Sequence, residues 1–105
     1  MNLPNIISEL VKAQSQFDSH AFADCFTETA VVFDEGKTHN GKIEIENWIE
    51  KANKEYKAVM NPLDYNEEES ILSAEISGAF PGSPVVLKYH FELNGELIEA
   101  LRITG

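Results

Sequence analysis

The order of elements in this chain predicts an α+β domain, with helices and one early strand first and antiparallel strands after them. Two observations carry the prediction. Through Tyr56, apolar residues recur at three- and four-residue steps; from Leu72 they alternate with polar ones. Turn formers (PGSP at 81–84, Asn94-Gly95) then cut the later part into hairpin-length segments.

Leu3, Ile6, Ile7, Leu10, Val11 and Phe17 form the apolar stripe of a first helix, with Asn2 before it and Pro4 in its first turn. Ser8, Glu9, Lys12, Ser15 and Gln16 fill the other face. Asp18 and Ser19 can cap a second, short helix through Ala23, after which Phe22, Cys25 and Phe26 point one way. Cys25 on that apolar face reads as a small core residue. The apolar run Ala30, Val31, Val32, Phe33 is a short strand that ends on Asp34. Asp34 is then either a turn former or a charge held beside a cavity, and a polar loop follows it.

Asn40 and Gly41 introduce a third helix with a stripe of Ile45, Trp48, Ile49, Ala52 and Tyr56. Glu50 and Lys54 on its outer face have the spacing of an exposed ion pair. Met60, Leu63 and Tyr65 begin an extended region that Pro62 keeps away from the middle of a sheet. Leu72, Ala74, Ile76, Gly78 and Phe80 alternate as a strand, with Gly78 expected where the sheet bends. The strand VVLKYHFEL at 85–93 has two faces. Val85, Leu87, Tyr89, Phe91 and Leu93 make the apolar one, while Val86, Lys88, His90 and Glu92 make the polar one. Asn94-Gly95 signals a type I′ hairpin, and ELIEALRIT closes the sheet.

The 105 residues, 43% apolar, fit one domain spanning 1–105. A net charge of −10 repels phosphate backbones and anionic lipid, so neither nucleic acid nor a membrane is an expected partner. The single cysteine excludes an internal disulfide framework. With no leader pattern and no long apolar run, a cytoplasmic protein is expected. His20, His39 and His90 fall in three separate elements without zinc-site spacing, and no glycine-rich phosphate loop or nucleophile elbow occurs. No metal and no organic cofactor is therefore expected.

FADCFTETAVVFDEG at 22–36, the helix start at Gly41 to Trp48, FPGSPVVLKYHFELNG at 80–95 and IEALRI at 98–103 together resemble the nuclear transport factor 2-like superfamily. The likeness is nearest to its small SnoaL-like and steroid delta-isomerase-like branch. It implies a cone-shaped, cystatin-like α+β fold: a strongly curved antiparallel sheet with the three helices of the first half packed on its concave side. It also implies an apolar pocket at the wide end and a homodimer through the convex face. The resemblance places the isomerases' general base on Asp34. Of their two enolate-stabilising donors, the first-helix tyrosine falls on Leu10 and the late-strand aspartate falls on Tyr89. One donor is thus lost and the other becomes a phenol, which argues against steroid isomerisation as such.

Burial would raise the proton affinity of Asp34, and Tyr89 would be one hydroxyl in an otherwise apolar wall. A base plus one donor can move a proton next to a carbonyl. Two readings follow. One is a pocket for a small apolar, carbonyl-containing molecule with isomerase, cyclase or dehydratase activity, using Asp34 and Tyr89 as catalytic residues. Leu10, Phe33, His39, Trp48, Tyr56, Leu87 and Phe91 would bind the ligand. The other is a non-catalytic dimeric binding or structural module whose pocket is filled by its own side chains.

Overall fold

Helix α1 (Asn5–Ser15) starts directly after Pro4, whose φ of −54° already suits the helical turn. The structure, a computed structural model, describes residues 1–105. Ile7, Leu10 and Ala13 bury one stripe of α1. Phe17, expected on that stripe, lies beyond the helix with a positive φ of 53° and is 41% exposed. Asp18 then caps α2 (Ser19–Ala23), its side-chain oxygen accepting the Ala21 backbone N–H at 3.0 Å. Cys25 is buried, as its place on an apolar face suggested.

Strand β1 (Phe26–Asp34) turns directly into β2 (Lys37–Asn40), so the segment expected to be a polar loop is half of a hairpin. Glu35 and Gly36 both take positive φ, 52° and 74°, which is the type I′ pattern matched to the twist of the flanking strands. The type I′ turn expected at Asn94-Gly95 is not there. Asn94 stays in strand and pairs with Leu97, leaving Gly95 (φ 63°) as the first central residue and Glu96 outside the positive-φ set. A glycine first and an ordinary residue second is the type II′ arrangement.

Helix α3 (Gly41–Tyr56) opens with the Glu44 carboxylate accepting the Asn40 backbone N–H at 2.9 Å. It closes on Lys57 in the left-handed conformation. Glu50 and Lys54 pair at 4.0 Å on its exposed side. The remaining strands are β3 (Val59–Asn66), β4 (Ile71–Ser77), β5 (Val85–Asn94) and β6 (Leu97–Thr104).

All six strands form one sheet in the order β2-β1-β6-β5-β4-β3. The sheet is mixed, not antiparallel throughout: β1 and β6 run parallel, with Val31 opposite Ala100 and Val32 opposite Leu101. Hairpin turns force their own two strands to be antiparallel. No turn joins β1 to β6, so nothing local sets their relative direction. Pro62 lies on β3, an edge strand, next to a register shift, which are the places in a sheet that accept proline. Register shifts between Phe26 and Val31, Pro62 and Asp64, and Glu92 and Leu93 mark where strands bend.

Gly78 does not bend a strand. It follows β4, where a Cβ would meet the Tyr56 carbonyl oxygen at 2.6 Å, so glycine permits the chain to pass the end of α3. The next residue, Ala79, donates its N–H to that same carbonyl at 2.7 Å. The core lies between the helices and one sheet face, centred on Ile7, Leu10, Phe26, Val32, Ile45, Leu72, Ile98 and Leu101, all fully buried. No helix is long and apolar enough to cross a membrane.

Candidate functional site

Strand direction decides where the sheet can open. β1 and β6 end, β5 begins, β4 ends and β3 begins at one side of the sheet. The registers Phe33 with Arg102, Tyr89 with Ile103, Ile76 with Val85 and Met60 with Ile76 bring those ends together. The apolar side of α3 faces the same end. Between them is a cavity of about 880 Å³ with 25 lining residues, 14 of them hydrophobic, so its wall is mainly apolar. Its rim carries charges of both signs, including Glu35, Lys37, Glu44, Lys51 and Glu55.

Asp34 lines this cavity because Val32 and Asp34 share the inner face of β1. Burial raises its proton affinity first and the neighbouring Glu35 charge adds to that; a hydrogen bond from the Glu35 backbone opposes both. Tyr89 enters from the apolar face of β5 and is only 7% exposed. Burial and the nearby Asp34 charge push the phenol far above its ordinary range, so it stays a neutral donor. No protein group bonds its hydroxyl, and that oxygen is not sealed away.

His39, expected in a loop, is on β2 and stacks on Trp48 with ring centres 5.1 Å apart. Both line the cavity, as do Tyr56 and Leu87. Partial burial lowers the proton affinity of His39, favouring the neutral ring. Leu10, Phe33 and Phe91 do not line it. Leu10 is fully buried beneath α1, and Phe33 points to the opposite sheet face with 44% of its surface exposed. Phe91 shares the face of Tyr89 but sits deeper, its ring stacked at 6.4 Å on the tyrosine. No three of the histidine, cysteine and carboxylate side chains converge as metal ligands do.

Two lining residues escape a reading of the sequence. Gln14 of α1 and Asn53 of α3 are 6% and 8% exposed, and the Gln14 Nε2 donates to Asn53 Oδ1 at 3.1 Å and to the Ala58 carbonyl at 2.8 Å. Each is an amide set one turn after a stripe residue, Leu10 and Ile49 respectively. A polar residue in register with an apolar stripe was the available signal.

No protein-family model matches the chain, and no curated protein does. Solved structures do. A candidate polyketide cyclase from Sinorhizobium meliloti is 36% identical over 97% of this chain and 95% of its own, with a TM-score of 0.90. A protein of ketosteroid isomerase-like fold from Catenulispora acidiphila, solved with trimethylamine, is 17% identical over 99% of this chain and 87% of its own (TM-score 0.86). The epoxide hydrolase/cyclase-like enzyme SalBIII of salinomycin pyran-ring formation is 18% identical over 93% of this chain and 85% of its own (TM-score 0.71).

Proposed function

Since the chain belongs to the nuclear transport factor 2-like superfamily, in its SnoaL-like branch, we propose that it binds a small apolar ketone and moves a proton beside its carbonyl. The observation that supports this is the pair Asp34 and Tyr89 in the wall of one largely apolar cavity, the phenol without a protein partner. The Tyr89 hydroxyl donates to the carbonyl oxygen of the bound ketone. The Asp34 carboxylate takes a proton from the adjacent carbon, and the electron pair moves onto oxygen as an enolate held by Tyr89. From a β,γ-unsaturated ketone the proton returns at the γ-carbon, giving isomerisation. Attack of the enolate carbon on a second carbonyl carbon, whose oxygen takes the proton from Asp34, gives cyclisation. Loss of a β-hydroxyl, which takes that proton and leaves as water, gives dehydration. The chemistry calls on no metal or organic cofactor.

With one oxyanion donor in place of two, the transition state lacks about 3–4 kcal/mol of stabilisation. Turnover is therefore slow or confined to acidified ketones. Exchange of α-protons for deuterium tests the step without a known substrate. Methyl octyl ketone should lose its α-protons faster with the protein in D₂O than without, and Asp34→Asn should remove the gain. Equal exchange by wild type and variant would take Asp34 out of the mechanism.

A second reading, a non-catalytic dimeric binding module, draws support from Leu10, which leaves α1 without a donor at the position where related isomerases carry one. The dimer would form through the sheet face that exposes Phe33 and Val86. A sedimentation profile showing only monomer at tens of micromolar would count against it.

A further inference from the structure

We infer that the amide pair Gln14 and Asn53 is a second polar subsite of the cavity, receiving a hydroxyl at the far end of an elongated apolar ketone. The inference rests on the reading of the cavity proposed above and names the ligand more closely. A backbone carbonyl can only accept, so the Ala58 oxygen fixes which end of the Gln14 amide faces it. Both Nε2 hydrogens are then spent, one on Ala58 and one on Asn53 Oδ1, and the Gln14 Oε1 is left over. Asn53, accepting through Oδ1, keeps its whole Nδ2 group.

Neither leftover atom has a protein partner, neither is fully buried, and both residues line the cavity. Two side chains more than nine-tenths buried and bonded to each other thus keep one acceptor and one donor unused. A hydroxyl fits that pair, donating to Gln14 Oε1 and accepting from Asn53 Nδ2. A carboxylate would leave the Oε1 facing another acceptor, and an ammonium would leave the Nδ2 facing another donor.

Gln14 and Asn53 belong to α1 and α3, and Asp34 to β1, so the subsite and the base come from different elements of the cavity wall. Ala58 immediately precedes β3, which lies four strand positions from β1 in the sheet order. At ~4.8 Å between neighbouring strands, that is on the order of 15–20 Å along the sheet, shortened by side chains reaching inward. A ligand touching both ends is long, apolar in the middle and polar at each tip.

Trp48, the only tryptophan, lines the cavity and reports occupancy by its fluorescence. Methyl octyl ketone and its ω-hydroxy derivative are titrated against wild type, Gln14→Met and Asn53→Leu. The expected result is that the affinity ratio of hydroxy ketone to plain ketone falls about tenfold in each variant. In unaltered protein, the Asn53 NH₂ resonances should move with the hydroxy ketone and not with the plain one, which decides the matter should a variant fail to fold. An unchanged ratio, or unmoved NH₂ resonances, with both ketones still perturbing Trp48 overturns the subsite and spares the cavity reading. No response of Trp48 to either ketone overturns both.

Discussion

Replacing Gly78 by alanine should loosen the wall of the cavity at its α3 end. The added Cβ would stand 2.6 Å from the Tyr56 carbonyl oxygen and 3.0 Å from the Ala58 Cα. Both are backbone atoms, so no side-chain rotation relieves the contact. The chain after β4 must retreat, which stretches the 2.7 Å bond from Ala79 N–H to Tyr56 and the 3.0 Å bond from Gly78 N–H to Ser83 Oγ. Overpacking of this kind costs about 1–3 kcal/mol, and one weakened hydrogen bond adds about 1 kcal/mol. Alanine returns about 0.4–1 kcal/mol by restricting the unfolded chain. The net loss is roughly 1–3 kcal/mol, a fall in Tm of about 5–20 °C for a domain of this size. Thermal and urea unfolding followed by circular dichroism measure it. A Tm equal to or above that of wild type would refute the close approach of Gly78 to α3, and with it the position of Tyr56 in the cavity wall.

Other outcomes follow from the same structure. Because burial raises the Asp34 proton affinity in the fold, the native state holds that proton more tightly than the unfolded chain does. The stability tied to it is full below the unfolded aspartate value and is lost as pH rises through the higher folded one. Asp34→Asn should therefore match wild type at acid pH and exceed it in urea unfolding at neutral pH. Asp18→Ala removes the α2 cap and should cost about 1 kcal/mol, seen as a Tm lower by about 4–8 °C. The Cys25 thiol, pushed up to about 11 chiefly by burial, with Glu9 and Asp24 adding to it, should react with a disulfide reagent at neutral pH only as fast as the protein opens. Prompt labelling of the folded protein would contradict its burial.

Periodicity made much of this architecture legible. Alternation along Val85 to Phe91 divided β5 into two faces and put Tyr89 inside, but Leu93, read onto the inner face, lies past the register shift at Glu92 and is exposed. The stripes of α1 and α3 located both helices. The four-residue apolar run before Asp34 has no alternation, so it could not say which face Phe33 takes. Parity says more: neighbours on a strand point to opposite faces, so with Asp34 in the wall of the main cavity Phe33 falls on the other side of the sheet. Leu10 and Gln14 sit one turn apart on the same side of α1, and only the later turn reaches the open end. Burial depth along a helix is a tertiary property that a stripe does not encode. The parallel pairing of β1 with β6 was equally out of reach, since no turn chemistry links them.

That pairing also sets the timetable of assembly. β6 is last in chain order and third in sheet order, wedged between β1 and β5. Until Leu97–Thr104 has left the ribosome, the β1–β2 hairpin and the β3–β4–β5 meander are two separate ribbons, each with an uncovered edge. The wall that carries Asp34 joins the wall that carries Tyr89 only when this strand slides between them. Removing those eight residues should thus abolish the fold altogether instead of trimming it.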